Sequence, residues 1–262
     1  MLAVDTTTGT ATTLTVDGLD GRDTEGLAVG PCGRADRRRA RRPTCLFIGD
    51  IGNNQGAWPS VRVWRIREPA LPSGPASDDR PDLRVSGDVA TYTYPGAPVD
   101  AEALLVEAGR PYLITKERRD PDTGRTPRPR LLGARRFADG RLRDHGVLKL
   151  PAPRSGGLVG AVVGNVVTGA ELARGHVVLR TSDHVLVYTP HTDGAPLRTL
   201  RRWRPREITA PHMRQGEGVA MDACGIWLVS EGVQSIWLVP QMAATLDDNV
   251  QEEVCPNGNG RS

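Results

Sequence analysis

The chain has 262 residues, of which 38% are apolar and 25% charged, with a formal net charge of +3. This fits a globular protein of one large domain. No apolar run reaches the length of a membrane-spanning helix, and so small a net charge sets up no overall field for nucleic acid or a membrane surface.

Glycine (30) and proline (21) are abundant without a collagen-like period, which predicts many short strands joined by turns. Met1-Leu2-Ala3-Val4-Asp5 shows no basic region followed by an apolar one. The expectation is either an intracellular protein or a chain that starts downstream of an export signal. Residues 2–5 and 11–16 read as two strands around the turn 6–9. A longer unit opens at Asp23-Thr24-Glu25-Gly26, with strands at 26–29, 45–49 and 61–66, a loop at 69–82 and an outer strand at 89–94. The pattern restarts at Asp100-Ala101-Glu102-Ala103, with strands at 100–107, 111–117, 130–137 and 142–150. A weaker copy has strands at 168–173, 176–181, 184–188 and 197–203. The last opens at Gln215-Gly216-Glu217 and runs through 215–221, 226–231 and 235–239 before a polar tail at 241–262.

Four-stranded antiparallel units that recur, each opening on the same kind of turn, indicate radial repetition. No helix-period segment is long enough to interleave with the strands, which argues against a βαβ sheet. The predicted fold is an all-β propeller in a single domain, 1–262. It comprises a partial blade at 2–16 and blades at 23–96, 100–150, 168–204 and 215–239. The count predicts five blades, the first lacking its inner two strands, with six as the alternative. A two-sheet sandwich would leave the repeated turn unexplained.

None of the four cysteines forms a Cys-x-x-Cys pair, so a zinc ribbon is not expected. Cys32 and Cys45 stand at the ends of a hairpin loop and are expected to bridge. Cys224 and Cys255 are expected to pair and pin the tail, and both bridges point to an oxidising compartment.

In a propeller the innermost strands line a central channel. Glu25, Glu102 and Glu217 occupy equivalent places in their copies and so should face one axis. In the third copy Ala170 takes that place, with Glu171 one position on. The second strands end in Asp50 with Asn53 and Asn54, Lys116 with Glu117, Arg180 with Thr181, and Ser230 with Glu231. These ends should lie beside the glutamates, placing Glu25 near Asp50, Glu102 near Lys116 or Glu117, and Glu217 near Glu231. Clustered carboxylates need a counter-charge. Lys116 and Arg180 are candidates built into the chain, and a bound cation is another. The ring suits a hard cation, a bound anion or a small polar ligand.

The motifs Asp23-x-Glu25, Gly49-Asp50-Ile51-Gly52-x-Asn54, Asp100-Ala101-Glu102-Ala103-Leu104, Thr115-Lys116-Glu117, Gln215-Gly216-Glu217 and Ser230-Glu231-Gly232 occur in that order. In this the chain resembles a family of uncharacterised, mostly exported bacterial propeller proteins. The resemblance implies a propeller, an extracellular or periplasmic location, and an inner hairpin and signal peptide preceding Met1. It implies no established activity. Asn53 stands where such proteins usually carry an acid. The chain is more distantly similar to lactonase-type and esterase-like phytase-type propellers, which use channel metals, often calcium; calcium is therefore the candidate ion.

Three functional readings follow. The first is a monomeric binding propeller that holds a cation or small polar molecule at the channel mouth. The second is a metal-dependent hydrolase of esters, lactones or phosphoesters. In it Glu25, Glu102 and Glu217 would hold the metal, Glu231 or His212 would act as base, and Lys116 or Arg180 would stabilise developing charge. The third is a scaffold for protein contacts. The arginine-rich segment 34–42 reads as a solvated loop, and no aromatic interleaving for nucleic acid accompanies it. The five histidines show no metal-binding spacing. Trp227 and Trp237 stand at matching places in adjacent strands and are expected to pack in the core between sheets.

Overall fold

A computed structural model describes residues 1–5, 10–33, 43–71, 82–117, 123, 128–152, 166–211, 213, 216–230 and 236–240. Five small, mainly antiparallel sheets stand in a ring and form a five-bladed β-propeller. In the first sheet β1 (Leu2–Val4) pairs with β2 (Ala11–Val16). The second is built from β3 (Thr24–Pro31), β4 (Thr44–Asp50) and β5 (Ser60–Arg67). Two further strands follow in the chain, β6 (Asp82–Val85) and β7 (Asp88–Thr93). β7 completes the second sheet, while β6 pairs in parallel with β2 on the first. The expected loop at 69–82 therefore ends at the start of a strand.

The third sheet holds β8 (Ala101–Glu107), β9 (Arg110–Thr115), β10 (Arg130–Gly133) and β12 (Arg143–Val147). The short β11 (Gly140–Arg141) pairs in parallel with β7. Both parallel additions cover the outer edge of the preceding sheet with a segment from the next unit along, which protects an edge that would otherwise be free. The fourth sheet runs β13 (Val167–Ala173), β14 (His176–Thr181), β15 (Val185–Thr189) and β16 (Arg204–Ile208). Its outer strand was expected at 197–203. Instead, Leu197–Arg202 is a 3-10 helix that buries Leu197 and Leu200. Their three-residue spacing matches the period of that helix, and the blade extends past 204 to Ile208. The fifth sheet contains β17 (Gly216–Met221), β18 (Ile226–Ser230) and β19 (Ile236–Val239).

The inner strands follow one another around the axis, β3 beside β8, β8 beside β13 and β13 beside β17. The second strands of the third and fourth sheets are sandwiched between neighbouring blades, so the runs Tyr112-Leu113-Ile114 and Val177-Val178-Leu179 are buried on both faces. The core consists of layers between blades. Phe47, Val63 and Tyr92 meet Leu104, Val106 and Leu113. Tyr112, Ile114 and Leu131 meet Leu179, Leu186 and Tyr188. Val178 and Val187 meet Met221, Ile226 and Leu228.

The first sheet covers Ile48, Trp64 and Ile66 of the second through Val16. Among the described residues it has no strand inside β1, and Leu27 and Val29 on β3 are 54% and 42% exposed. Across the same gap Val229 and Ile236 of the fifth sheet are 39% and 50% exposed.

Cys32 and Cys45 are bonded, with Cα atoms 4.9 Å apart, and close the loop between β3 and β4. Cys224 is also disulfide-bonded; its expected partner, Cys255, lies outside the described residues, as does the tail. No helix among the described residues is long and apolar enough to cross a membrane.

Candidate functional site

Each complete inner strand carries the same irregularity. Its register to the second strand slips between Thr24 and Gly26, Ala101 and Ala103, Val167 and Gly169, and Gly216 and Gly218. A bulge leaves one residue unpaired and re-aims its side chain. The residues so placed are Glu25, Glu102, Thr168 and Glu217, and all four line one central cavity of about 690 Å³. The fourth blade therefore puts Thr168, not Ala170, in the place of the glutamates. The Thr168 hydroxyl donates to Gly216 O at 2.6 Å and ties two inner strands together.

Glu102 is 4% exposed and ion-paired through Oε1 with Lys116. Its Oε2 is buried without a hydrogen bond among the described residues. Burial raises its pKa, and the Lys116 ammonium opposes that rise. Glu25 is pushed up to about 8, first by burial, then by the Glu102 charge and by Asp23, with Lys116 only partly offsetting these. Glu171, on the same cavity wall, accepts a hydrogen bond from Met221 N; burial pushes it up to about 7. The chamber is thus acidic and short of positive charge. Its other wall is apolar, formed by Leu27, Leu104, Val219, Trp227 and Val229.

The expected neighbours divide into several outcomes. The pairing of Glu102 with Lys116 is present. Glu25 lies beside Asp23 and Glu102 rather than against Asp50. Asp50 is 2% exposed and fully engaged: it accepts from Asp23 N at 2.7 Å, Arg22 at 2.9 Å and Arg62 at 2.8 Å. Burial alone would raise its pKa, but these donors hold it below the usual carboxylate value. Asn53 organises the following loop. Its backbone N–H donates to Asp100 at 2.7 Å, and its side chain bonds Trp58 and Tyr94. Asn54 lines the cavity, whereas Glu117 turns back to accept from the Thr115 hydroxyl at 2.8 Å.

Arg180 stands opposite Gly169, in the register position of Gly49, Ile114 and Val229. Strand alternation aims it toward the fifth sheet rather than into the channel. It packs beneath Gly216, where a Cβ would come within 1.7 Å of the guanidinium. Nη2 donates to Met213 Sδ at 3.2 Å, while Nε and Nη1 are buried without an acceptor among the described residues. Burial lowers its pKa, and the Glu217 charge opposes this. Glu231 and His212, the candidate bases, lie outside the described residues. Trp227 and Trp237 are not core residues: Trp227 lines the central cavity and Trp237 is 46% exposed.

Among the described residues no three histidine, cysteine or acidic side chains are placed to hold one metal ion. Sequence reading missed Thr168 and Asp23. The bulge was the signal that would have found the first, and a bulge cannot be read from residue types alone.

The fold and site define a class: a five-bladed propeller with an acidic, half-apolar central chamber. No protein-family profile and no curated protein matches the chain.

Proposed function

We propose that this propeller binds a small organic cation in its central chamber. The observation that carries the reading is the charge deficit around Glu25. Its carboxyl is pushed up to about 8 beside Asp23 and Glu102, while Lys116 is committed to Glu102. A bound ammonium or guanidinium group would neutralise Glu25 and Glu102 and offer a donor to the unpartnered Glu102 Oε2. The apolar body of the same ligand would lie against Leu104, Val219 and Trp227. This wall favours an organic cation over a bare metal ion. The disulfides support a place in an oxidising, extracellular or periplasmic compartment.

Calorimetric titration with a panel of primary and quaternary amines, and separately with calcium chloride, tests the reading. An amine is expected to bind in a single saturable step, more tightly as pH rises toward about 8, because Glu25 must release its proton. Glu102→Gln together with Glu217→Gln should abolish binding. Saturable calcium binding without amine binding would replace the organic ligand with a metal. No saturable binding of either kind would end the cation reading.

A further inference from the structure

We propose a second, separate ligand site: an arginine-lined cleft between the second and third sheets that takes a small organic molecule bearing at least two phosphate-type oxyanion groups. The cleft has a volume of about 630 Å³ and is lined by arginines at 65, 110, 135, 136 and 141. It lies by the Ala108-Gly109 turn that ends β8. Glu102 stands at the other end of that strand, so the cleft and the acidic chamber are separated by most of its length.

The charges do not cancel. Arg65 is paired with Asp88, donates to Cys32 O at 2.8 Å and stacks on Phe137 at 4.3 Å. Arg110 is paired with Glu107. Arg141 has only neutral acceptors, Tyr94 O at 3.3 Å and Pro95 O at 2.7 Å. Arg135 and Arg136 are exposed and have no ion pair among the described residues. The one carboxylate among the described residues lining the cleft is Asp139, and it already accepts from Thr91 N at 2.8 Å. Three guanidinium charges therefore face a single acid.

Guanidinium forks match the oxygens of phosphate groups in pairs, which gives geometry as well as charge. The floor suits such a ligand too. Tyr92 is buried, its hydroxyl donating to Arg136 O at 3.2 Å, and Phe137 lies edge-on to Phe47. These rings hold the segment that carries Arg135 and Arg136, and they lower the dielectric beneath the charges. The volume is that of a site for a small organic ligand rather than a single phosphate ion. Direct acid–base compensation inside the protein would have been the alternative use of these arginines, and for three of them it is absent among the described residues.

The test is calorimetric titration of the full chain with pyrophosphate, at physiological and at low salt. One saturable site is expected. The Arg135→Ala/Arg136→Ala variant, altered only at exposed side chains, should weaken it about ten-fold or more. Arg141→Lys should weaken it several-fold, because it keeps the charge and loses the fork. Glu217→Gln should leave it unchanged, which separates this site from the central chamber. Several outcomes would overturn the proposal: no saturable heat with pyrophosphate, equal binding by wild type and the double variant, or binding of single-stranded DNA without binding of pyrophosphate.

Discussion

Leu27 and Leu104 occupy the same position in successive repeats, two residues after the bulged glutamate, yet Leu27 is 54% exposed and Leu104 is 1% exposed. The cause is the neighbour. The second sheet covers Leu104, whereas among the described residues the first sheet has no inner strands to cover Leu27. Leu104→Ala should therefore cost about 2–5 kcal/mol through lost contacts and a cavity. The same change at Leu27 should cost no more than about 0.5 kcal/mol. Urea unfolding of the two variants checks this, and equal losses would refute the assignment of the gap.

Stability should fall as pH rises from about 5 to about 8.5. Glu25 and Glu171 are pushed up to about 8 and about 7, above the ordinary value of 4.5. Between the ordinary and raised values the folded chain keeps protons that the unfolded chain has released, so raising the pH favours unfolding. Asp50 acts in the opposite sense. Its depressed pKa makes stability fall as acid takes the pH below its ordinary 3.8. Thermal melts across this range should show the decline toward alkaline pH, and Glu25→Gln should flatten its upper part. A wild-type melting temperature that rises steadily to about pH 8.5 would contradict the chamber's electrostatics.

Removing Lys116 should be costly, and more so at alkaline pH. Lys116→Met leaves the Glu102 carboxylate buried without its partner, a situation worth about 3–5 kcal/mol. At lower pH Glu102 can take up a proton, so the loss should shrink. Adding Glu102→Leu should restore much of the stability, since an apolar pair needs no compensation. Denaturant unfolding of the single and double variants at two pH values reads this directly. A double variant no better than the single would mean that Lys116 acts through packing alone.

Arg180→Met should leave stability unchanged or raise it by about 1–3 kcal/mol. Arg180 is 3% exposed, and two of its guanidinium nitrogens have no acceptor among the described residues. Replacing an uncompensated buried charge with an apolar side chain of similar length removes a desolvation penalty. A loss of more than about 1 kcal/mol in denaturant unfolding would show that Arg180 carries a stabilising contact through its charge.

The all-β class and the succession of repeats were legible in the residues alone. Alternating apolar strands and recurring acid-bearing turns are local signals, and a repeated unit restates them several times. The same periodicity placed Glu25, Glu102 and Glu217 at equivalent points, set Glu102 near Lys116 or Glu117, and put Cys32 and Cys45 at the two ends of one hairpin loop. Other features depended on register and on neighbours. A single-residue bulge in β13 put Thr168 in the glutamate position, and the register of β14 set Arg180 against Gly216 of the fifth sheet. That one-residue offset is invisible in composition, yet it reverses the face to which every following side chain points. The 3-10 helix at Leu197–Arg202 replaced a predicted strand because Leu197 and Leu200 could be buried at its spacing. The engagement of Asp50 by Arg22 and Arg62, the apolar wall beside the acids, and the cleft gathering arginines from 65, 110, 135, 136 and 141 all join segments far apart in the chain. Contacts of that kind exist only after the ring has closed around its axis, because it is the packing of blade on blade that decides which charges are paired and which are left facing a cavity.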